Sequence, residues 1–428
     1  MGSTSQRVAE VYLPGGWLEY RRFAAGVVLR VLGVGVSVIS AVVTARGLGV
    51  SGRGLLYTCT SASTLGAQVF ALGMPSAAVL AVASRPALGR RAIRYALAAS
   101  LGAWLAAALA GLVMDQLGAS RWLPSAVAEL GMLVAGLMGT QILLAWCSSL
   151  TQALGATDRI PAIELIYRSA TVTWAWIALF PLQFSFRYFL GSLIVVDFIY
   201  GSLWLTYVRT LIPHVSEMPH WPREWRKWSV KAFFPLLLEN LLRRIDVLVL
   251  TSLAGVRATG LYSVATQVMD VSQIGSVFLG QKAMYSFSAG HGDSLSIKWL
   301  RRALPVAAMA AMIAAGLTAE IWAPVLLGAQ FSGTGPIVLA LSFGAAALAW
   351  ETVAVKEIAA AGFPIQLSMS WLVVCCAAVA LMFVFIPRLG PVGAGIAMSL
   401  SYFVLALLVY GIRSRIRGAN SRRLDNRL

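Results

Sequence analysis

The sequence predicts an all-α membrane protein of about twelve transmembrane helices, arranged as two parallel-repeat six-helix lobes around a central cleft. Three observations lead to this prediction. Of the 428 residues, 59% are hydrophobic and only 12% are charged. Apolar runs long enough to cross a bilayer recur along the whole chain, separated by basic, glycine or proline breaks. Glycine and proline landmarks of the first half also return in the second half at a nearly constant spacing.

The composition excludes the common classes of soluble protein. Soluble domains carry about 25% charged residues, roughly twice the share in this chain. The mean hydropathy of +0.77 agrees with an apolar environment. A spanning helix needs about 20 apolar residues, and with short connections this length suits about twelve spans. Soluble enzymes, secreted disulfide scaffolds and disordered proteins are therefore excluded.

Twelve apolar segments can be read between these breaks. They are predicted at 23–45, 54–83, 92–114, 126–150, 160–180, 187–208, 230–254, 260–285, 303–328, 334–361, 366–386 and 391–412. Because the number of segments is even, both chain termini are expected on the same side of the membrane.

Basic residues concentrate on one side of the predicted membrane. The loops and termini on that side hold 23 of the 34 lysines and arginines, whereas the opposite loops hold six, among them Arg46 and Arg53. Cytoplasmic loops of membrane proteins are enriched in Lys and Arg, so both termini are predicted to be cytoplasmic. The net charge of +17 follows from the same bias. No nucleic-acid partner is expected.

The predicted organisation has five parts. They are a cytoplasmic N-terminus (1–22), an N-lobe (23–208), a cytoplasmic linker (209–229), a C-lobe (230–412) and a basic cytoplasmic tail (413–428). In the linker, Trp221, Trp225 and Trp228 follow one another at spacings of four and three residues, which places them on one helical face. This pattern is typical of an amphipathic helix at the membrane surface.

The two halves of the chain share landmarks. The motif Gly-Val-x-x-x-Gly-Leu begins at Gly49 after the first predicted span and at Gly255 after the seventh, 206 residues later. Two more landmarks repeat at nearly the same spacing, namely Gly155 with Gly362 and Pro181 with Pro387. A duplicated unit with an even number of helices repeats in parallel orientation, about an axis along the membrane normal.

No motif for catalysis or for a cofactor can be identified. The four cysteines lie inside apolar runs, and the three histidines lie in loops without metal-ligand spacing. No P-loop, HExxH motif or Ser/His/Asp set is present. The chain is therefore predicted to be a transporter rather than an enzyme, with no cofactor or metal, and coupling to a proton or sodium gradient or to the membrane potential stays open.

Ionisable residues inside the predicted spans are the candidate functional residues, because each costs about 2.5–3.5 kcal/mol at the bilayer centre. Glu164 with Arg168 and Glu239 with Arg243 are spaced for ion pairs within one helix, with the acid in the favourable N-terminal position. For Glu164 and Arg168 a purely structural ion pair is favoured. Asp246 lies three residues after Arg243 and shares its helical face.

Arg30 has no acidic residue within two turns of its own helix. Either it meets an acid on another helix or it faces a cavity that receives an anion. The second reading suits arginine, whose planar fork binds phosphate through two hydrogen bonds. A cluster of Arg30, Arg243 and Arg244 would form a phosphate or pyrophosphate clamp, and Lys356 is a further candidate.

Several motifs occur in an order that resembles one family. They are ENLLRRIDVLVL (239–250), GLYSVATQ (260–267), ARGLG (45–49), GLLY (54–57), LGMPSA (72–77), WAPVLLGAQF (322–331), AAG (360–362) and GAGIAMSLSY (393–402). Together they resemble the polysaccharide-biosynthesis flippases over about residues 20–412.

The resemblance implies the multidrug/oligosaccharidyl-lipid/polysaccharide (MOP) flippase superfamily and, within it, the O-antigen-type (Wzx-like) flippases. Such proteins have two six-helix lobes that rock between inward- and outward-open states. They carry an undecaprenyl-pyrophosphate-linked oligosaccharide across the bacterial inner membrane to its periplasmic leaflet. A lipid-linked oligosaccharide, membrane lipids, a glycan polymerase and a chain-length regulator are the implied partners.

A substrate of this kind needs cations for its pyrophosphate and polar or aromatic walls for its sugars. The candidate residues for such walls are Tyr57, Gln68, Asn240, Tyr262 and Gln267. Glu239, Asp246 and Asp270 are the candidates for ion coupling. Relatives that flip the peptidoglycan precursor hold sodium with carboxylates of three helices. Two of the corresponding helices here lack Asp and Glu, so proton coupling stays beside sodium as an alternative.

Two other functions compete with the flippase. A MATE-like cation-coupled exporter of small molecules would have the same fold, but cationic drugs require acidic cavities and the predicted cleft is rich in arginine. A membrane glycosyltransferase, ligase or polymerase would need a sizeable outward loop, and every predicted outward connection is short. The sequence therefore favours the flippase.

Overall fold

The computed structural model describes residues 17–116, 130–213, 221–222, 224–280, 295–360 and 365–425, and all regular structure within them is helical. The helices are α1 (Trp17–Ala71), α2 (Met74–Ser84), α3 (Gly89–Gln116), α4 (Gly131–Ala153), α5 (Ile160–Leu179), α6 (Phe186–Leu211), α7 (Trp225–Ser272), α8 (Leu295–Leu317), α9 (Ala319–Leu327), α10 (Gly335–Ala360) and α11 (Ile365–Asp425). Residues 274–280 continue helically after α7. An all-helical chain is the expected form for a bilayer, where each backbone group must be bonded within its own segment.

The described helices provide twelve membrane crossings. Eight segments are long and apolar enough to span a bilayer, and three of them, with 44, 48 and 51 residues, are long enough to cross it twice. These three bend at Gly49, Gly255 and Gly390. Helix α5, whose 20 residues include Glu164 and Arg168, supplies the remaining crossing. The predicted all-helical membrane fold with about twelve spans is confirmed.

Two of the bends occur at the glycines of the repeated motif. Gly49 has φ 67° and Gly255 has φ 81°, a left-handed conformation that costs glycine little and is unfavourable for other residues. Each bend turns an outgoing span into a returning one. We call the end of the bundle that carries these bends the bend end, and the opposite end the terminal end.

Each half of the chain has its own hydrophobic core. Helices α1–α6 form the N-lobe, where Leu88, Trp146 and Trp204 belong to one cluster of buried side chains. Helices α7–α11 form the C-lobe, where Leu250 and Trp371 belong to another. The two largest clusters of buried side chains are divided between the lobes in this way, and a smaller cluster that includes Val50 and Phe331 joins them.

The lobes meet at the bend end through a reciprocal glycine contact. A methyl group added to Gly54 would overlap the Val256 carbonyl oxygen, and one added to Gly260 would overlap the Val50 carbonyl oxygen. The two halves of the contact are equivalent by the internal repeat, because Gly54 and Gly260 lie 206 residues apart, as do Val50 and Val256. Small residues at such crossings allow helix backbones to approach closely.

Polar contacts reinforce this closure. Arg46 donates from Nη2 to the Val325 carbonyl at 2.6 Å and from Nε to the Leu326 carbonyl at 2.8 Å. Its guanidinium thus reaches the last turn of α9, where a helix favours a cation. The hydroxyls of Thr58 and Thr251 lie 2.8 Å apart across the same interface.

At the terminal end, the start of α7 packs against the N-lobe. Ser229 donates to the Leu72 carbonyl. Trp221 stacks on Trp225 with ring centroids 4.5 Å apart, and the Tyr95 ring lies 5.7 Å from Trp221. The tryptophans of the predicted linker therefore contact the N-lobe core. Residues 214–220 and 223 of that linker lie outside the described part of the chain, as does Gly362.

Candidate functional site

A cavity of about 330 Å³ lies between the lobes. Helices α1, α4, α5 and α6 form its N-lobe wall, and α7 forms its C-lobe wall. Its charged lining groups are Arg53, Asp197, Arg244 and Asp270, and most of its other polar groups are hydroxyls and amides. With all four groups ionised their formal charges cancel, so the cavity presents both signs of charge rather than cations alone.

Arg53 is the most extensively bonded of these groups. Its side chain is 6% exposed. Nε donates to Ser263 Oγ at 2.9 Å and Nη2 donates to Gln267 Oε1 at 2.6 Å, whereas Nη1 donates within α1 to Thr44 Oγ1 at 3.1 Å and to the Ala41 carbonyl. All four acceptors are neutral. The guanidinium is therefore well satisfied by hydrogen bonds, and no carboxylate of the described residues is bonded to it.

Arg244 reaches in the opposite direction, from the C-lobe to the N-lobe. Its Nη1 donates to Tyr57 Oη at 3.1 Å, and its Cζ lies 5.6 Å from the centre of the Tyr57 ring. The Tyr57 hydroxyl is also 3.0 Å from Thr266 Oγ1. One N-lobe tyrosine is thus held between α7 residues on both sides of the bend at Gly255.

Asp270 presents a carboxylate to the space between the lobes. Its side chain is exposed, and it lines both the large cavity and a smaller one beside it. Among the residues that the structure describes, none forms a hydrogen bond or an ion pair with this carboxylate, although Arg244 and Arg243 lie within electrostatic reach. A carboxylate so placed is available to a cation or a proton from the cavity.

The second acid of the large cavity is already bonded. Asp197 is 5% exposed and accepts a hydrogen bond from Tyr167 Oη at 2.7 Å. Burial of a carboxylate requires such donors. Asp197 therefore belongs to a polar contact between α5 and α6 that forms part of the cavity wall.

The smaller cavity, of about 60 Å³, lies on the C-lobe side and is lined by Arg243, Asp246, Tyr262 and Tyr402, among others. Asp246 is 3% exposed. Its Oδ2 accepts from Tyr262 Oη at 2.6 Å, and its Oδ1 accepts from the backbone N–H of Val247 at 2.8 Å. The carboxylate is thus fixed by two donors within α7.

Replacing Tyr262 by phenylalanine is expected to lower the stability of the protein. The change removes the only side-chain hydroxyl bonded to Asp246 in the described structure, and an unsatisfied buried acceptor costs about 1–3 kcal/mol. Thermal unfolding in detergent, followed by tryptophan fluorescence, measures the loss. Tyr188→Phe is the matched control, because Tyr188 is 74% exposed; equal melting temperatures for both variants would contradict the expectation.

The structure brings together some of the residues predicted from the sequence. Seven of them line one or both cavities: Tyr57, Arg243, Arg244, Asp246, Tyr262, Gln267 and Asp270. Five do not line either of these two cavities: Arg30, Gln68, Glu239, Asn240 and Lys356. Of the arginines proposed for the pyrophosphate clamp, Arg243 and Arg244 line these cavities.

The residues outside these cavities have other contacts. The Arg30 guanidinium lies 5.6 Å from the centre of the Phe278 ring in the other lobe. Glu239 forms the predicted ion pair with Arg243, with N and O 3.4 Å apart. Asn240 donates to the Leu236 carbonyl of its own helix. Lys356 packs against Gly280, near the terminal end.

Two predictions about charged residues are wrong. Arg53 was expected in an outward loop, but it lies inside α1 and is buried, because the helix resumes directly after the bend at Gly49. Glu164 and Arg168 were expected to pair, but Arg168 donates to Ser37 Oγ at 2.6 Å instead. No ion pair joins the two within the described residues, and the Arg168 guanidinium bonds to a hydroxyl of α1 instead.

Sequence reasoning placed Arg53 in a loop, and it noted Asp197 as an ionisable residue inside the sixth span without assigning it a role. The signal for Arg53 was its position between Gly49 and Gly54, inside the repeated motif. Asp197 was recognisable only as an acid within an apolar helix. Among the described residues, no group of three or more His, Cys, Asp or Glu side chains is arranged to hold a metal ion.

These features define the class of the protein: a multi-pass, all-helical membrane protein of two lobes with a polar cavity between them. By sequence, no known protein family and no curated protein matches the chain. Solved structures, however, share its fold over almost its whole length, and all of those described below are under 25% identical to it.

The first of these structures is the lipid II flippase MurJ in an inward closed conformation, with a TM-score of 0.67 and 12% identity, covering 92% of this chain and 87% of MurJ. An inward-facing MATE family multidrug resistance transporter of the MOP superfamily has a TM-score of 0.59 and 16% identity, and the match covers 90% of this chain and 96% of that transporter. A MOP superfamily transporter from Pyrococcus furiosus, described as having a binding pocket of reverse polarity, has a TM-score of 0.56 and 13% identity, and the match covers 92% of this chain and 95% of that transporter. The chain therefore has the fold of the MOP superfamily.

Proposed function

We propose that this protein is a flippase for an undecaprenyl-pyrophosphate-linked oligosaccharide, such as an O-antigen, capsule or exopolysaccharide repeat unit. The observation that carries the proposal is the cavity between the lobes, where Arg53 and Arg244 lie among hydroxyl and amide groups. Arginines suit a pyrophosphate, and uncharged polar groups suit sugar hydroxyls. The MOP fold is compatible with this function, and the sequence resemblance to Wzx-like flippases favours the same substrate class.

The proposed direction of transport follows from the charge distribution. The excess of basic residues on the terminal side favours a cytoplasmic location for both termini, in a bacterial inner membrane. The bend end then faces the periplasm. When a negative charge leaves a cell whose interior is negative, its electrostatic free energy falls by about 2.3 kcal/mol per 100 mV. The membrane potential therefore favours export of the anionic headgroup.

An ion gradient is a further proposed driving force. Of the three candidates from the sequence, Asp270 is exposed to the cavities, whereas Asp246 is bonded to Tyr262 and Glu239 to Arg243. This difference makes Asp270 the favoured site for a coupled proton or cation. The glycan polymerase and the chain-length regulator stay proposed partners on the strength of the resemblance alone.

A second candidate function is a MATE-like cation-coupled exporter of small molecules. The observation in its favour is the presence of Asp270 and Asp197 in the cavity wall, because acidic groups attract organic cations. The flippase is preferred because Arg53 and Arg244 line the same space.

A reconstituted flipping assay with arginine variants tests the proposal. Proteoliposomes would hold the protein and a fluorescent undecaprenyl-pyrophosphate glycan, and flipping would be followed by accessibility to a glycan-cleaving enzyme. Arg244→Ala is expected to slow flipping about 10- to 150-fold, as loss of a hydrogen bond to a charged group predicts. Arg244→Lys should restore part of the rate.

Arg187→Ala is the matched control, since Arg187 is exposed on α6 and away from both cavities. It should flip the lipid at the wild-type rate. Export of an organic cation by the wild-type protein, without movement of the lipid-linked glycan, would instead establish the exporter.

A further inference from the structure

The two arginines that line the large cavity also hold the lobes together. Arg53 belongs to the N-lobe, and two of its hydrogen bonds end on Ser263 and Gln267 in the C-lobe half of the interface. Arg244 belongs to the C-lobe, and its hydrogen bond ends on Tyr57 of the N-lobe. Each lobe thus contributes one cavity-lining arginine whose guanidinium donates hydrogen bonds to the other lobe.

The groups that Arg53 and Arg244 bond in the opposite lobe are all uncharged. They are the hydroxyls of Ser263 and Tyr57 and the amide oxygen of Gln267. A phosphate oxygen adds a full negative charge to the same hydrogen-bond geometry, and in a poorly solvated cavity this attraction is stronger than in water. An anion inside the cavity therefore competes favourably for these N–H groups.

Gln267 occupies the central position in this arrangement. Its Oε1 accepts from Arg53 at 2.6 Å, and its Nε2 donates to the Ser37 carbonyl at 2.9 Å, so both ends of the amide bond to the N-lobe. Loss of the Arg53 bond leaves the amide held on one side only. Both Arg53 and Gln267 line the cavity, and Arg53 directly precedes Gly54 of the reciprocal glycine contact.

We propose that binding of a phosphate-type anion in the cavity releases the bend end, because the anion takes Arg53 and Arg244 from their partners in the opposite lobe. The inference rests on the proposed function and adds to it the step that links substrate binding to opening. A ligand shifts a conformational equilibrium by its difference in affinity for the two states. Here that difference arises because the closed state engages the N–H groups that the anion needs.

The variant Gln267→Glu tests whether anion binding opens the bend end or merely fills the cavity. The variant loses the bond to the Ser37 carbonyl but offers Arg53 a carboxylate, and a charge-assisted hydrogen bond is roughly twice as strong as one to a neutral amide. The variant should stay closed when an anion is present. Gln267→Ala removes the acceptor and should populate the open state without any ligand.

The experiment measures the distance across the bend end by pulsed electron paramagnetic resonance in nanodiscs. Spin labels would be attached to Leu182→Cys in the N-lobe and Leu389→Cys in the C-lobe, both exposed, after Cys376, the exposed native cysteine, is replaced by serine. The probes are geranyl pyrophosphate and inorganic pyrophosphate, with geraniol as the uncharged control.

In the wild-type protein, both pyrophosphates should raise the ratio of open to closed molecules roughly 5- to 150-fold, the usual range for coupled sites, and geraniol should not. Gln267→Glu should show no response. Gln152→Glu, the same change at an exposed residue of α4, should respond as the wild type does.

The outcomes distinguish this inference from the proposed function. Pyrophosphate that binds, as measured by calorimetry, without widening the bend end would overturn the inference and leave the flippase intact. A wild-type response by Gln267→Glu would overturn it as well. Opening on pyrophosphate in a protein that flips no lipid-linked glycan would overturn the proposed function alone. Absence of pyrophosphate binding would overturn both.

Discussion

Gly54→Ala is expected to abolish transport, because it keeps the lobes apart at the bend end. The added methyl group would overlap the Val256 carbonyl oxygen and would lie 2.7 Å from the Gly260 backbone nitrogen. Both obstacles are backbone atoms of a packed helix, which cannot rotate away as a side chain can. Overpacking of this kind costs about 1–3 kcal/mol or more, and 3 kcal/mol corresponds to about a 150-fold change in the balance between two states.

The measurement is the lipid-flipping rate together with the distance across the bend end. We expect flipping to fall below detection and the bend end to be open without ligand. Gly260→Ala should behave alike, since its methyl group would overlap the Val50 carbonyl oxygen in the reciprocal contact. Gly102→Ala is the control, because nothing lies within 4 Å of the added group. Normal flipping by both interface variants would show that the closed contact is not part of the transport cycle.

Glu357→Ala is expected to destabilise the C-lobe severely. Glu357 is 6% exposed on α10 and joins two arginines from other helices: Arg301 Nη1 of α8 at 2.9 Å, and Arg413 Nε of α11. Removing one member of a buried ion pair typically costs about 3–5 kcal/mol, because the remaining charge keeps its desolvation penalty. Here two cations would lose the same carboxylate.

Thermal unfolding in detergent, with retention of monodisperse protein as a second readout, measures this loss. Glu357→Gln keeps an acceptor oxygen and should be milder. Replacing Arg301, Glu357 and Arg413 together by leucine should recover much of the stability, since apolar side chains replace buried charges at little cost. Glu224→Ala, which removes an exposed acid, should leave the melting temperature unchanged. A triple variant no more stable than Glu357→Ala would contradict the electrostatic explanation.

The cavity differs from the cationic cleft that the sequence suggested. Counting basic residues in the seventh span points to a cluster of positive charge, but in the structure Asp270 and Asp197 line the same cavity as Arg53 and Arg244. The arginines are also used for contact between the lobes. The function we propose therefore depends less on an accumulation of positive charge. It depends more on Arg53 and Arg244 exchanging their neutral hydrogen-bond acceptors for the anionic substrate.

The sequence by itself determined the membrane fold and its repeat. Twelve apolar runs separated by short breaks leave few alternatives to helices in a bilayer, where unbonded backbone groups are costly. Gly49 and Gly255, 206 residues apart, marked the bends correctly because a left-handed backbone favours glycine wherever it occurs. The ion pair between Glu239 and Arg243 was equally predictable, since the spacing of four residues fixes it within one helix.

Only the tertiary structure decided which polar groups meet across helices. Arg53 and Gln267 are 214 residues apart in the chain and 2.6 Å apart in space, and nothing in their local sequences indicates this contact. Arg168 donates a hydrogen bond to Ser37 of another helix and does not pair with Glu164 of its own helix. Hydrophobicity determines that a helix enters the membrane, but it does little to determine how the helix is rotated about its own axis relative to its neighbours. That rotation depends on side-chain packing between helices distant in the chain, and it decides which charges share a cavity.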